Sequence, residues 1–165
     1  MAEVKTYTIT YNEVQKSIII PAVLEHNNRA AKVRALVDTG AVASYVMQWV
    51  VDGLDFPETG NIYQVKFGED EAIRSSVVAN LILSSDVSFT NEEFTVLKDS
   101  NRDYDAIIGM NILSRTDFSI SNYNGHTVFS FQLPSQEEIK YGDAFDHETD
   151  VKNIMDNIED QLLST

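Results

Sequence analysis

The chain has 165 residues, 43% of them hydrophobic, and sets 26 acidic against 12 basic side chains for a formal charge of −14. This length suits one compact domain with a core of its own, and so acidic a balance disfavours phosphate backbones and anionic membranes, so nucleic acid is not an expected partner. There is no cysteine, which excludes disulfides, thiolate metal sites and cysteine nucleophiles and leaves the chemistry to oxygen and nitrogen groups.

The first eleven residues carry threonines and charges where a secretory apolar stretch would sit, and no apolar run approaches the roughly 18 residues of a membrane span. The expectation is a soluble cytoplasmic protein without membrane contact. Residues 6–11, Thr-Tyr-Thr-Ile-Thr-Tyr, suit a pleated strand. Residues 17–25 and 31–37 are two further apolar runs, joined by the polar His26-Asn27-Asn28-Arg29, and predict a hairpin whose second strand leads to Asp38. Brief helices are predicted over residues 44–51 and 110–114. Residues 117–121 and 126–131 flank Asn122-Tyr123-Asn124-Gly125, whose Asn-Gly pair suits the positive φ angles of a tight turn. After Pro134 the composition changes: residues 137–165 hold nine acids and two bases, half of the chain's net charge. Val151, Ile154, Met155, Ile158 and Leu162 recur there at helical spacing behind Thr149-Asp150, which can cap a first turn. The division expected is therefore a domain over residues 1–134 and an acidic extension over 135–165 with an amphipathic helix.

Chemistry points first to Ala35-Leu36-Val37-Asp38-Thr39-Gly40-Ala41, a carboxylate following an apolar strand, then a small hydroxyl residue and a glycine that permits close approach. Some 70 residues on, Tyr104-Asp105-Ala106-Ile107-Ile108-Gly109-Met110-Asn111-Ile112-Leu113 is an apolar strand ending in glycine before a short helix. Together the two segments resemble the retropepsins, the retroviral-type aspartic proteases, including their bacterial and phage relatives, over roughly residues 30–131. The resemblance implies an all-β, retropepsin-like closed barrel with short helices, in which Asp38 is the catalytic residue of an active-site loop completed by Thr39, Gly40 and Ala41. Ile108 and Gly109 lie on the strand that braces this loop and are, by the same resemblance, substrate-binding positions, and Ser44 stands where the family often has Ser or Thr.

An aspartic protease needs two carboxylates, because two held about 3 Å apart share one proton, the ionised one activating water and the protonated one polarising the scissile carbonyl. This chain has a single Asp-Thr-Gly, so a twofold homodimer would supply Asp38 twice. The resemblance implies further that Thr39 locks the two loops together and that Gly40 meets the substrate backbone. It also implies a flap between the motifs, read as strand 62–65, turn 66–72 and strand 73–79, with Lys66, Phe67 and Gly68 as substrate-binding positions. Glu69, Asp70 and Glu71 make its tip acidic. Many viral members pair an Asp and an Arg at the positions of Val42 and Met110, which are expected here to pack against each other instead.

No cofactor and no metal are expected: His26, His126 and His147 lack ligand spacing, and Asn101, Asp103 and Asp105 start a calcium-loop pattern without its glycine or closing glutamate. Tyr45 and Trp49 on the first short helix are read as core rather than pocket lining. The functional expectation is a homodimeric aspartic endopeptidase acting on peptide or protein substrates. The alternatives are a catalytically silent retropepsin-like module for dimerisation or peptide binding, and a protease held inactive by its own extension.

Overall fold

Period-two alternation of apolar and polar side chains builds the first hairpin, β2 (Ile19–His26) and β3 (Arg29–Val37), with Ile20, Ala22, Leu24, Val33 and Ala35 turned inward. Asn27 and Asn28 join the strands with φ of 48° and 63°. Two successive left-handed residues match the twist of a two-residue hairpin, and asparagine tolerates them. The computed structural model describes residues 3–67, 70–98 and 103–142, together with Thr149, Lys152, Asn153, Met155 and Asp156.

Four more strands join this hairpin in a closed ring. β3 pairs in parallel with β8 (Ala106–Ile108), β8 with β4 (Ser44–Met47), β4 in parallel with β7 (Ser88–Leu97), and β7 with β6 (Asp70–Ile82). Residues Val23, Leu24 and Glu25 then pair with Ile82, Leu81 and Asn80, closing a six-stranded barrel. Closure removes the edges of those six strands, and Leu24, Val46, Leu81 and Phe94 fill the interior. β5 (Glu58–Phe67) lies outside the ring and pairs only with β6.

A second sheet of three strands, in the order β1 (Lys5–Thr10), β10 (Val128–Leu133), β9 (Asp117–Ser121), packs on the barrel through Phe129 and Phe131. Phe131 stacks on Tyr7 at 5.4 Å and meets Phe89 of β7 at 6.4 Å. The gap left between barrel and sheet, bordered by Ile20, Ile108, Ile112 and Phe129, is about 10 Å³, too small to hold a water comfortably. Arg115 ties the two sheets from outside, bonding Glu92 at 2.8 Å and lying 5.2 Å over the Phe89 ring.

Three expectations change. The first helix does not begin at Ser44: residues 44–47 are β4, and α1 spans Gln48–Leu54, ending at Asp55 in the left-handed region (φ 52°). Tyr45, Val46 and Met47 extend because a slot between β7 and β8 needs a strand, and that pairing outweighs local preference. Trp49 then falls on α1 with 47% of its surface exposed, not in the core. The turn expected over 66–72 is much tighter, since Lys66 pairs with Glu71 and Phe67 with Asp70; Gly68 and Glu69 lie outside the described residues. The predicted helix after Gly109 is α2 (Met110–Leu113), and the hairpin of β9 and β10 forms around a short 3-10 turn, Tyr123–Gly125, with Asn124 and Gly125 at positive φ.

Of the extension, residues 135–142 carry neither helix nor strand, and Thr149, Lys152, Asn153, Met155 and Asp156 have helical backbone; Val151, Ile154, Ile158 and Leu162 lie outside the described residues. Its first turn is anchored by Asp117 of β9, whose carboxylate accepts the backbone N–H of Gln136 at 2.5 Å and of Glu137 at 3.0 Å, the Ser135 hydroxyl, and the Gln132 amide at 3.1 Å. These donors, the Gln136 N–H foremost, hold the Asp117 carboxyl far below its ordinary value. A depressed carboxyl stabilises the fold above its unfolded pKa, and the contribution is lost as pH falls toward the folded one. Asp117→Asn is therefore expected to lower urea resistance at pH 7, with the difference from wild type shrinking below about pH 4; equal loss at both pH values would count against this account.

Candidate functional site

Asp38 follows the last residue of β3, where the parallel pairing of β3 with β8 ends, and its own N–H donates to the Ile108 carbonyl at 3.0 Å. The chain then turns sharply. Asp38 Oδ1 accepts the Gly40 N–H at 2.8 Å, and the Ala41 N–H reaches the Asp38 carbonyl at 3.3 Å. A carboxylate bonded two residues ahead is the side-chain analogue of a backbone turn. A Cβ on Gly40 would lie 3.2 Å from Asp38 Oδ1, so the glycine keeps space beside the carboxylate. Thr39 and Gly40 are exposed and Asp38 is partly so. Among the described residues nothing else bonds the Asp38 carboxylate or the Thr39 hydroxyl, which leaves both groups facing outward.

The loop is braced from behind by the second motif. Ser44 is fully buried; its hydroxyl donates to Asn111 Oδ1 at 2.8 Å and accepts the Gly109 N–H at 3.0 Å. The first two N–H groups of α2, on Met110 and Asn111, have no partner within their own helix. They donate instead to the carbonyls of Ala41 and Val42, at 2.8 and 3.1 Å. Gly109 allows this contact: a Cβ there would stand 2.1 Å from the Ala43 carbonyl oxygen and 2.8 Å from that of Ala41. Both are backbone atoms and cannot swing aside. Ala41 packs against the core, and Ile108 is 2% exposed, so its contribution to the loop is its carbonyl rather than its side chain.

A further contact holds the entry to β8. Arg34 of β3 grips the Asp105 carboxylate through Nε at 3.3 Å and Nη2 at 3.2 Å, and the backbones of the same two residues bond to each other's groups. Asp105, which fits the start of a calcium loop in sequence, has this structural task. Only the long-range pairing of β3 with β8 reveals Arg34 as its partner. Asn101 and His147 lie outside the described residues, and among the described residues no cluster of three His, Asp or Glu side chains is arranged to hold a metal.

Val42 and Met110 do not pack against each other as expected. Val42 is 83% exposed, while Met110 turns toward the core. Each is instead tied by backbone to the other's neighbour, Met110 to Ala41 and Val42 to Asn111, which any side chain permits. Lys66 is exposed on β5, in the hairpin of β5 and β6, whose Ile62 and Ile73 are also exposed, at 70% and 73%. A separate hollow of about 870 Å³ lies on the barrel wall beside Ile19, Pro21, Val23, Lys32, Arg34 and Ile82 and includes none of the Asp38 loop.

Comparison with known proteins bears on the architecture. No protein-family model matches the sequence, and no curated protein matches it. Among solved structures, a retropepsin-like aspartic protease from Rickettsia conorii aligns over 81% of this chain and 98% of its own, with a TM-score of 0.53 and 18% identity. The retroviral protease-like domain of Ddi1 from Leishmania major aligns over 76% of this chain and 100% of its own, with a TM-score of 0.47 and 19% identity. The chain has the retropepsin-like fold.

The brace makes two variants informative. Gly109→Ala is expected to cost about 3 kcal/mol or more because backbone must yield, and Ser44→Ala about 1–3 kcal/mol because it strands a buried N–H. Urea denaturation measures both; a Gly109→Ala protein as stable as wild type would refute the close approach.

Proposed function

We propose that this protein is an aspartic endopeptidase that acts as a homodimer, with Asp38 of each subunit forming one catalytic pair. The observation that carries the reading is the Asp38 loop itself: an outward-facing carboxylate at a strand end, with Gly40 beside it and a buried brace behind it, on a retropepsin-like barrel. One such loop supplies half of the required chemistry. A twofold axis passing beside Asp38 completes it, since an isologous contact presents the same residue from both sides.

In the paired site one proton is shared between two carboxylates, as close like charges require. The ionised Asp38 removes a proton from a water while the protonated Asp38 hydrogen-bonds the scissile carbonyl oxygen, so that the water oxygen adds to the carbonyl carbon. Collapse of the tetrahedral species breaks the C–N bond as a proton passes to the departing nitrogen, and no covalent enzyme intermediate forms. The exposed Thr39 hydroxyl is placed to bond across the subunit contact, and Gly40 leaves room for the substrate backbone. The hairpin of β5 and β6 serves as the flap over an extended peptide, with Lys66 and Phe67 near its tip and, by sequence, Gly68 as the third substrate-binding position. On the three-stranded sheet, β9 has an open edge with Ile120 48% exposed, which suits contact with a second copy. In this reading residues 1–134 carry the activity and 135–165 are an appendage.

Asp38→Asn is expected to abolish cleavage of a mixed peptide library, a loss of at least about 10³-fold, while sedimentation still shows a dimer. A fully active variant would rule out the mechanism. A silent binding module would instead show no cleavage by wild type at any pH.

The hairpin end is acidic. Glu71 is exposed beside the tip, bonded by the Gln64 amide at 2.6 Å, and the whole chain carries −14. Peptides with Asp or Glu flanking the scissile bond are expected to be depleted among cleavage products at neutral pH, more strongly at low salt because charge repulsion is screened. Enrichment of acidic sites in cleavage profiling would contradict this.

A further inference from the structure

The ladder between β5 and β6 is broken at one place. Glu58 pairs with Val77 and Ile62 with Ser75, so Thr59, Gly60 and Asn61 stand opposite Ser76 alone. Gly60 is at φ 81° with no atom within 4 Å of a would-be Cβ. Such a bulge removes ladder hydrogen bonds and lets a strand bend, which makes it the mechanical weak point of the hairpin. Side chains fill the gap. Glu93 of β7 directs Oε1 at it and receives the Ser76 hydroxyl at 2.5 Å, the Asn61 amide at 2.9 Å and the Tyr63 hydroxyl at 3.0 Å.

Proton counting orders the rest of the cluster. A carboxylate only accepts, so the Ser76 hydroxyl is spent on Glu93, and the single Thr59 hydroxyl proton is shared between Ser76 Oγ, 2.5 Å away, and Glu93 Oε1 at 3.3 Å. Thr59 in turn accepts the Asn61 N–H at 3.0 Å. One carboxylate thus gathers both strands of the bulge through four side-chain donors, Ser76, Asn61, Tyr63 and, at the longest distance, Thr59. The same donors, Ser76 foremost, hold the Glu93 carboxyl below its ordinary range, so it stays in its accepting form through mildly acid conditions.

We propose that Glu93 is the latch of the β5–β6 hairpin, fixing the bulge at Thr59–Asn61 and the adjoining Tyr63 against the barrel so that opening is confined to the part beyond Tyr63 and Arg74. Glu93 is then a positioning residue for substrate capture, and that kinetic consequence rests on the endopeptidase reading above. Among the described residues β5 has no strand neighbour other than β6, and the side chain that reaches its bulge comes from β7.

Hydrogen–deuterium exchange on the full chain tests the latch without any need for activity. Glu93→Ala is expected to speed exchange over residues 58–67 and 70–77 by about tenfold or more, while β1, β10 and β2 exchange as in wild type. Glu93→Gln keeps a carbonyl oxygen for the donors and is expected to fall between the two. Tyr63→Phe removes one donor from an exposed site, giving a smaller acceleration of the same segments, and these milder variants decide the matter if Glu93→Ala does not fold. Unchanged hairpin exchange in all three, or equal acceleration along the whole chain, would overturn the proposal. With peptide substrate, Glu93→Ala should raise KM about tenfold with kcat within about twofold of wild type, and Glu93→Gln should restore most of KM; a fall in kcat at unchanged KM would count against a latch. Wild type that cleaves nothing would sink the endopeptidase reading alone, and the exchange result would still decide the latch.

Discussion

The site depends on one close approach, that of Gly109 to the backbone of Ala41 and Ala43. With a carbonyl oxygen standing where a Cβ would be, β8 and α2 can lie directly beneath the loop that carries Asp38. The Ser44 hydroxyl then reaches both Gly109 N–H and Asn111 Oδ1, and the otherwise orphaned N–H groups of α2 find the carbonyls of Ala41 and Val42. Among the described residues no buried side-chain polar atom lacks a partner, and a satisfied network fixes a single arrangement more sharply than apolar packing does. Asp38 joins the brace through its own N–H, bonded to the Ile108 carbonyl, while its carboxylate, bonded to the Gly40 N–H, stays partly exposed.

The barrel gives this contact its setting. Because β2 closes on β6, the six ring strands have no free edge, and β8, only three residues long, can be held between β3 and β4 with Ala106, Ile107 and Ile108 all buried. The Arg34–Asp105 pair fastens its entrance. Outside the ring the constraints differ: β5 is bonded on one side only, its exposed face carries Ile62, and a bulge interrupts its pairing. Rigidity at the loop and compliance at the hairpin follow from the same topology. Glu93 and Asp117 are each surrounded by donors, and the little-exposed carboxylates of Asp105 and Glu92 each meet an arginine.

Val42 shows that the brace does not depend on the side chain at that position. Its side chain is exposed and its carbonyl does the bonding, accepting the Asn111 N–H while the Met110 N–H goes to Ala41. The expected packing of Val42 on Met110 is replaced by these two backbone bonds, each made to a neighbouring residue.

Much of the architecture was legible along the chain, because it is encoded locally. The Asn27-Asn28 turn, the Asn124-Gly125 turn, the strand before Asp38 and the short helix after Gly109 all follow from alternation, positive-φ residues and the apolar run that precedes them. Resemblance in two motifs pointed to the retropepsin-like fold, and Ser44 could be singled out with them. Hidden were the features that depend on residues far apart in sequence. Tyr45, Val46 and Met47 form a strand only because β7 and β8 leave a slot; Arg34 meets Asp105 across 71 positions, and Glu93 meets Asn61 across 32. Local preference reports on a few neighbouring residues, whereas these contacts exist once the barrel has closed. The sequence by itself thus determined which carboxylate stands at a strand end beside a glycine, and tertiary structure decided what holds that loop still and which side chains grip the hairpin, since only closure of the chain brings those partners within bonding distance.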